Sequence, residues 1–380
     1  MAILDYPFDD HGPNTDGDDG RSLNPGEYDT LLMGANAADG AAGDFVYPDE
    51  PAFANNAADI AELRIAIDKD HWYVLVVMNA LIDAERTALQ IALDDFELVV
   101  HGNSSSRSDV DVHADAGSNT YEIRVPREVY EPGDDASLFV AAGLWDTASG
   151  TWLDPDPETD TLPYFDVAFI AGEPANSYWR EKQQSATLAA GTIADARLPI
   201  AFAALKCKDG CPRFIARPLG LHTRVFRSGQ DLGEGVSPQT RYNQNVSSSY
   251  KLYRSSYQPY SVYVPLAPSG ALVILMHYLG GNYMSYPITS SDGLKQWAEA
   301  TGSIVVMPHG RGEAGWYEGE AEKDVFEVWR DIARDYDIDR QRVYLAGMSM
   351  GGYGAWRLGL LYPDQFARAI VWSGPVMPYT

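Results

Sequence analysis

The run Arg342-Val-Tyr-Leu-Ala-Gly-Met-Ser-Met-Gly-Gly-Tyr-Gly354 sets one serine between glycines placed two residues away on either side. Val343 to Ala346 is apolar enough for a buried strand, and Gly352 to Tyr362 reads as a helix. A strand, the pentapeptide Gly347-Met-Ser349-Met-Gly351 and a helix, in that order, can hold a nucleophilic hydroxyl on a sharp, strained turn. The two glycines keep side chains clear of the neighbouring strand and helix. The helix start offers backbone N–H groups and the positive end of its dipole to charge developing on a carbonyl oxygen. Ser349 is the candidate nucleophile and the Met350 N–H a candidate oxyanion donor. The plainer alternative for Ser349 is an ordinary helix cap.

Such a serine needs a sheet beneath it. Ala271 to Met276 and Ser303 to Met307 are continuous apolar runs, as expected of strands buried on both faces of a parallel sheet. Val325, Val328, Trp329, Ile332 and Tyr336 recur at helical spacing within residues 322–336. A further strand is expected at Ala367 to Trp372. Strand and helix alternate from about Tyr250 onward, which argues for a parallel α/β sheet with right-handed crossovers. His309, in Pro308-His-Gly-Arg-Gly312, follows one of these strands and is expected at the same sheet edge as Ser349. It is the local candidate for a general base, with Glu313 or Glu318 to orient it; a loop histidine in solvent is the alternative.

The earlier part of the chain reads differently. From about 58 to 170, short alternating strands are separated by Asp, Gly and Asn turns, the pattern of a β-sandwich. The fold class is therefore α/β and all-β, multidomain: a sandwich over 1–175, a connector with a helix from Tyr178 to Gly191 and strands over 176–245, and a partial α/β domain over 246–380. Trp72, Trp145 and Trp152 are read as packing residues, with stacking on a ring as the alternative. Asn14-Thr-Asp16-Gly-Asp18-Asp-Gly20 gathers hard oxygen ligands between glycines. Asp16 and Asp18 are thus candidate ligands of a structural calcium, against a solvated acidic turn; no cofactor is otherwise called for. Asp154, Asp156, Glu158 and Asp160 form a second cluster of the same kind. Cys207 and Cys211 are read as a short disulfide loop, with free thiols as the alternative.

With 45% apolar residues the 380-residue chain can bury a large core, and its net charge of −26 argues against nucleic-acid binding. No apolar run is long enough to cross a membrane. The N-terminus lacks the basic and apolar regions of a signal peptide. The acidic, lysine-poor composition suits a secreted or salt-adapted protein and equally a genome of biased base composition; the N-terminus fits either an intracellular protein or one whose signal has been removed, and the Cys pair, read as a disulfide, tips the expectation to a secreted protein.

Four motifs carry a resemblance: His277-Tyr-Leu-Gly-Gly-Asn282, Asp337-Ile-Asp-Arg-Gln-Arg-Val343, Gly347-Met-Ser-Met-Gly-Gly-Tyr-Gly-Ala-Trp356 and Tyr362-Pro-Asp-Gln-Phe366. Over residues 245–380 the chain resembles α/β-hydrolases, nearest the esterases of the polyhydroxybutyrate-depolymerase and feruloyl-esterase type. The resemblance implies attack of Ser349 on a carboxylic ester through an acyl-enzyme. It implies an oxyanion hole from the backbone N–H groups of Met350 and Leu279. Tyr278 stands where the family has glycine and is expected beside the acyl group, with His277 and Trp372 also on the substrate side; His277 is read mainly as a loop-fixing residue. The hairpin from Ala61 to Val77, with Asp44 to Pro48 and Pro51 to Phe53, resembles the sandwich modules related to family 9 carbohydrate-binding domains, which implies an accessory module for sugars or surfaces.

The family's acid and histidine follow the serine in sequence. Here the residues after Ser349 hold no histidine, and Asp364 is their one side-chain carboxylate. The chain is therefore expected to stop partway through the hydrolase domain, leaving its last strand as an open edge that invites pairing with another copy. The expected function is hydrolysis of aromatic or polymeric esters, including feruloyl esters, polyhydroxyalkanoates and aryl polyesters. The alternatives are a serine peptidase of the same fold, or a non-catalytic carbohydrate- or surface-binding protein.

Overall fold

The computed structural model describes residues 1–5, 10, 12–13, 15, 43–53, 56–155, 157–159, 161–168, 179–192, 196–206, 219–233, 236–238 and 251–376. They fall into two compact units, one reaching Lys206 and the other starting at Leu219.

In chain order the first unit has strands β1 (Ala2–Leu4), β2 (Ile60–Ile67), β3 (His71–Met78), β4 (Thr87–Leu93), β5 (Phe96–His101), β6 (Ser104–Ser105), β7 (Asp111–Asp115), β8 (Thr120–Pro126), β9 (Asp135–Asp146), β10 (Thr151–Leu153) and β11 (Tyr164–Val167). Helix α1 (Trp179–Ala189), strand β12 (Leu198–Ala201) and helix α2 (Phe202–Lys206) complete it. One sheet runs β1-β2-β3-β8-β7; the other runs β10-β9-β4-β5-β6, with β11 and β12 also pairing with β9. All of these pairings are antiparallel. Alternation along the strands sends Leu63, Ile65, Val74, Val76 and Ile123 from one sheet, and Leu89, Ile91, Leu98 and Val140 from the other, into a single core. The turns are chemically specified. Asp68 Oδ1 accepts from the N–H groups of Asp70 and His71, and Asp94 and Asn119 take positive φ where hairpins reverse. Trp72 is buried against Phe96, Tyr130 and Phe202, while Trp145 stacks on His101 at 4.6 Å and meets Trp152 edge-on.

The expected connector over 176–245 is not a separate piece. β12 pairs with β9, and its buried Leu198 and Ile200, with Phe202, join the first core. From Gly220 onward the chain instead forms an edge of the second sheet. The helix read from Tyr178 is described from Trp179, and Gly191 at φ 64° stops it.

The second unit contains β13 (Gly220–Arg227), β14 (Val236–Pro238), β15 (Lys251–Tyr253), β16 (Tyr257–Val264), β17 (Leu272–Met276), α3 (Ser285–Thr289), α4 (Ser291–Thr301), β18 (Ile304–Pro308), α5 (Glu320–Asp335), β19 (Val343–Met348), α6 (Met350–Leu361) and β20 (Arg368–Trp372). Its six-stranded sheet runs β13-β16-β18-β17-β19-β20, and β14 pairs with β15 apart from it. β13, β16 and β18 are antiparallel neighbours; β18, β17, β19 and β20 are parallel. Both faces are apolar, which is why the strands read as unbroken hydrophobic runs. Ile274, Val306 and Leu345 pack with Val325, Val328 and Ile332 of α5 and with Leu358 of α6. Val273, Leu275 and Val305 pack with Leu294 and Ala298 of α4 on the other face.

Candidate active site

Parallel pairing puts the ends of β17, β18, β19 and β20 at one sheet edge, so His277, His309, Ser349 and Ser373 emerge there together. Asp364 precedes the start of β20 and so lies at the opposite edge from Ser349. Ser349 has φ 53° and ψ −117°, a conformation that costs a non-glycine residue on the order of 1–3 kcal/mol. The turn is held by backbone bonds: Ser349 N donates to Trp372 O at 2.9 Å, and Ser349 O accepts from Tyr353 N at 2.9 Å.

The glycines around it are steric necessities. A Cβ on Gly347 would meet Gly351 Cα at 2.9 Å; one on Gly351 would meet His277 O at 2.7 Å. A Cβ on Gly352 would meet Gly374 Cα at 2.7 Å, and one on Gly354 would meet the Tyr317 ring at 2.7 Å. The start of α6 is thereby pressed against the end of β17 and the chain leaving β20.

The Ser349 side chain is half-buried and has no hydrogen-bond partner among the described residues. The Met350 N–H opens α6, where an N–H has no intrahelical partner. In the loop after β17, Gly280 N donates to Glu313 O and Gly281 N to Tyr278 O, both at 3.0 Å, whereas the Leu279 N–H has no hydrogen-bond acceptor among the described residues. His277 is buried, with Nδ1 2.8 Å from Tyr278 O and Nε2 3.0 Å from His309 O. Burial lowers its pKa, and it ties the ends of β17 and β18 together. Tyr278 is half-buried with its ring edge-on to Tyr286, and exposed Trp372 lies edge-on to Trp297.

His309 is neither the solvent-exposed loop residue nor the poised base that the sequence offered. It is 1% exposed, its ring lies against Tyr253 at 4.6 Å and Tyr283 at 5.5 Å, and neither ring nitrogen has a hydrogen-bond partner among the described residues. Burial, with the nearby His277 and Arg311, holds its pKa well below the usual value. Glu318 does not orient it: Glu318 accepts from the Tyr353 hydroxyl and pairs with Arg357 at 3.5 Å.

The residue that sequence reasoning missed is Arg311, two positions on. It is fully buried at φ 63°. Its Nη1 donates to Ser255 O at 2.9 Å and reaches Arg254 O and Tyr253 O at 3.3 and 3.4 Å; Nη2 donates to Ser228 Oγ. Asp324 lies 3.9 Å away and Glu327 4.0 Å away. Asp324 Oδ2 accepts from Gly310 N at 2.9 Å; burial pushes its pKa up to about 7, with Arg311 opposing. Tyr317, at φ 52°, lies against Gly310 and Gly354 and donates to His277 O at 3.4 Å. The loop from His309 to Gly319 is thus a buried brace between β17, β18 and α6. A buried arginine among carboxylates has no signal in sequence beyond the Gly-Arg-Gly spacing that permits the positive φ.

Asp16 and Asp18, proposed as calcium ligands, and Cys207 and Cys211 lie outside the described residues. Among the described residues, no group of three or more His, Cys, Asp or Glu could hold a metal ion, and no helix is long and apolar enough to cross a membrane.

Residues 292–380 match the Esterase family model. The chain is 28% identical over 135 residues to the bifunctional acetylxylan esterase/xylanase XynS20E of Neocallimastix patriciarum, a match covering 34% of this chain and 20% of that protein. It is 26% identical over 126 residues to acetylxylan esterase A of Emericella nidulans, covering 30% and 41%. The chain thus spans less than half the length of both curated relatives. Among solved structures, the acetyl xylan esterase from Aspergillus awamori matches at 24% identity and TM-score 0.25, over 30% of this chain and 46% of that one. Over residues 292–380 the chain is thus similar to the Esterase family, and over a comparable share of its length to acetylxylan esterases.

Proposed function

We propose that the protein hydrolyses carboxylic esters through an acyl-enzyme on Ser349, acting on acyl groups carried by a polymer. The observation that carries this reading is the strained Ser349 turn, with the Met350 and Leu279 N–H groups near it unspent among the described residues. An ester carbonyl attacked by Ser349 Oγ develops negative charge on its oxygen, and N–H donors fixed in advance stabilise that charge without reorganising. His277 holds the loop that carries Leu279; Tyr278 and Trp372 border the acyl group. The acetylxylan esterases named above support a polysaccharide-borne ester ahead of a polyhydroxyalkanoate or aryl polyester. A polymer substrate places the enzyme outside the cell, with the first unit as a β-sandwich accessory module. Ser349→Ala should lower p-nitrophenyl acetate hydrolysis by about 10⁴-fold; equal rates for both proteins would overturn the proposal.

A second reading has its own support. Ser349 has no histidine partner among the described residues. A serine without a base is weakly activated, and a binding protein that keeps the hydrolase frame then fits. Hydrolysis no faster than that of Ser349→Ala favours this reading.

We also propose self-association through β20, which pairs only with β19 among the described residues and exposes Ile370 and Trp372 beside Trp356, Leu360 and Leu361 of α6. Light scattering should give a dimer mass, reduced to the monomer by Ile370→Lys; a wild-type monomer at all concentrations refutes it.

A further inference from the structure

Leu279 and Met350 stand on segments that part at the sheet edge. The registered pairing of β17 with β19 ends at Met276 and Gly347. Past that rung one chain enters the loop that carries Leu279, and the other enters the turn that carries Ser349 and Met350. Two donors serve one oxyanion only if their separation is fixed, so a group outside the ladder must fix it.

Tyr286, on α3, touches both segments. Its hydroxyl donates to Met276 O at 3.1 Å, and the Met348 N–H lies beside the same phenolic oxygen. Its ring packs with Leu275 and Ala346, themselves a registered pair of β17 and β19. Tyr278, the residue before Leu279, meets that ring edge-on with centroids 6.1 Å apart. Burial raises the pKa of the phenol, so it remains a protonated donor.

The start of α3 is locked to the loop that Tyr286 must gauge. Asn282 N donates to buried Ser285 Oγ at 2.8 Å, Ser285 N to Asn282 O at 3.1 Å and Met284 N to Asn282 Oδ1 at 2.8 Å. A Cβ on Gly281 would meet Ser285 Oγ at 2.6 Å, so the segment closes tightly on itself. The next carbonyl along, His277 O, is taken by Tyr317 from the core on the other face of the sheet. Two phenols thus hold consecutive carbonyls where β17 leaves the ladder.

We propose that Tyr286 is a positioning residue whose phenol sets the separation of the Met350 and Leu279 N–H groups. It acts through Met348 and Met276 on one side and through Tyr278 on the other. Its catalytic consequence rests on the acyl-enzyme reading of Ser349.

Tyr286→Phe keeps the ring and removes the hydroxyl. With p-nitrophenyl acetate, kcat should fall about tenfold or more while KM stays within about twofold, the split expected when only transition-state geometry is lost. Tyr263→Phe is the structural control. It removes a hydroxyl that donates to Glu299 Oε1 at 2.9 Å, at the opposite sheet edge, and should leave kcat unchanged. Hydrogen exchange read by mass spectrometry reports the geometry without hydrolysis: residues 277–283 and 345–352 should exchange faster in Tyr286→Phe and not in Tyr263→Phe. An active wild type whose kcat survives Tyr286→Phe, an equal loss in both variants, or unchanged exchange in both segments overturns the proposal. A wild type no faster than Ser349→Ala refutes the acyl-enzyme reading alone; in that protein faster exchange in Tyr286→Phe still supports the positioning role, and unchanged exchange overturns it.

Discussion

The two units spend backbone strain differently. In the first, the described non-glycine residues at positive φ are Asn56, Asp94 and Asn119, residue types that adopt this conformation at little cost; Asp94 and Asn119 sit where hairpins reverse. In the second they are Arg311, Trp316, Tyr317, Ser349 and Ser373. None of these types favours it, and all lie in segments following β18, β19 or β20. Buried charge divides in the same way. Asp166 in the first unit is held by neutral donors, accepting from Ile60 N at 2.7 Å and Gln184 Nε2 at 3.0 Å. In the second unit Arg311 is enclosed with Asp324 and Glu327 beside the Ser349 edge. The first unit uses unusual conformations to turn corners. The second concentrates them where a serine must be held in one geometry, as expected when strain serves a site and not the fold.

Substitutions can break this contrast. The largest effect is expected from Gly351→Ala, whose new methyl group would collide with the end of β17; it should destabilise the second unit by about 3 kcal/mol or more and abolish hydrolysis. Gly191→Ala, at φ 64° with nothing within 4 Å, should cost only about 1 kcal/mol and leave hydrolysis unchanged. Denaturant melts with a p-nitrophenyl acetate assay measure both, and equal costs would erase the distinction.

Arg311→Met should come close behind. Removing one partner leaves Asp324 buried without its cation, at about 3–5 kcal/mol, while Glu327 keeps Arg330 at 3.8 Å. Because Gly310 and the loop to Tyr317 move with it, kcat should fall more than KM rises. A loss of stability with unaltered kcat would reduce Arg311 to a structural role.

The smallest effect concerns pH. Burial pushes Asp166 up to about 7, as it does Asp324. A carboxyl whose folded pKa exceeds its unfolded value of about 4 contributes stability that is complete below pH 4 and lost as pH rises through 7. The melting temperature should therefore decline between pH 5 and pH 8. Asp166→Asn should flatten part of that decline without altering the pH profile of hydrolysis. A wild-type melting temperature that rises over this window contradicts the argument.

Much of the second unit was legible in the chain. Strands buried on both faces announce themselves as apolar runs, and the glycines around Ser349 mark the turn before any coordinates exist. The brace behind it was not legible. Arg311 draws on Ser228, on Tyr253 to Ser255 and on Asp324, segments far apart in sequence, so its burial is a tertiary fact. His309 was misread for a related reason: sheet topology placed it correctly, but the tyrosines that cover it come from elsewhere. The connector was misdrawn because a four-residue strand, Leu198–Ala201, carries too little pattern to show which sheet it joins.

The contact between Gly352 and Gly374 has a consequence for how this sequence can change over time. Each occupies the space a side chain at the other would need. No compensating replacement exists, because shrinking a neighbour below glycine is not available. Both positions resist drift, and with Gly347 and Gly351 they form a patch where any added side chain must displace backbone. Exposed Trp356 and Leu360, on the same helix, are open, so diversity introduced there can be sampled without disturbing Ser349.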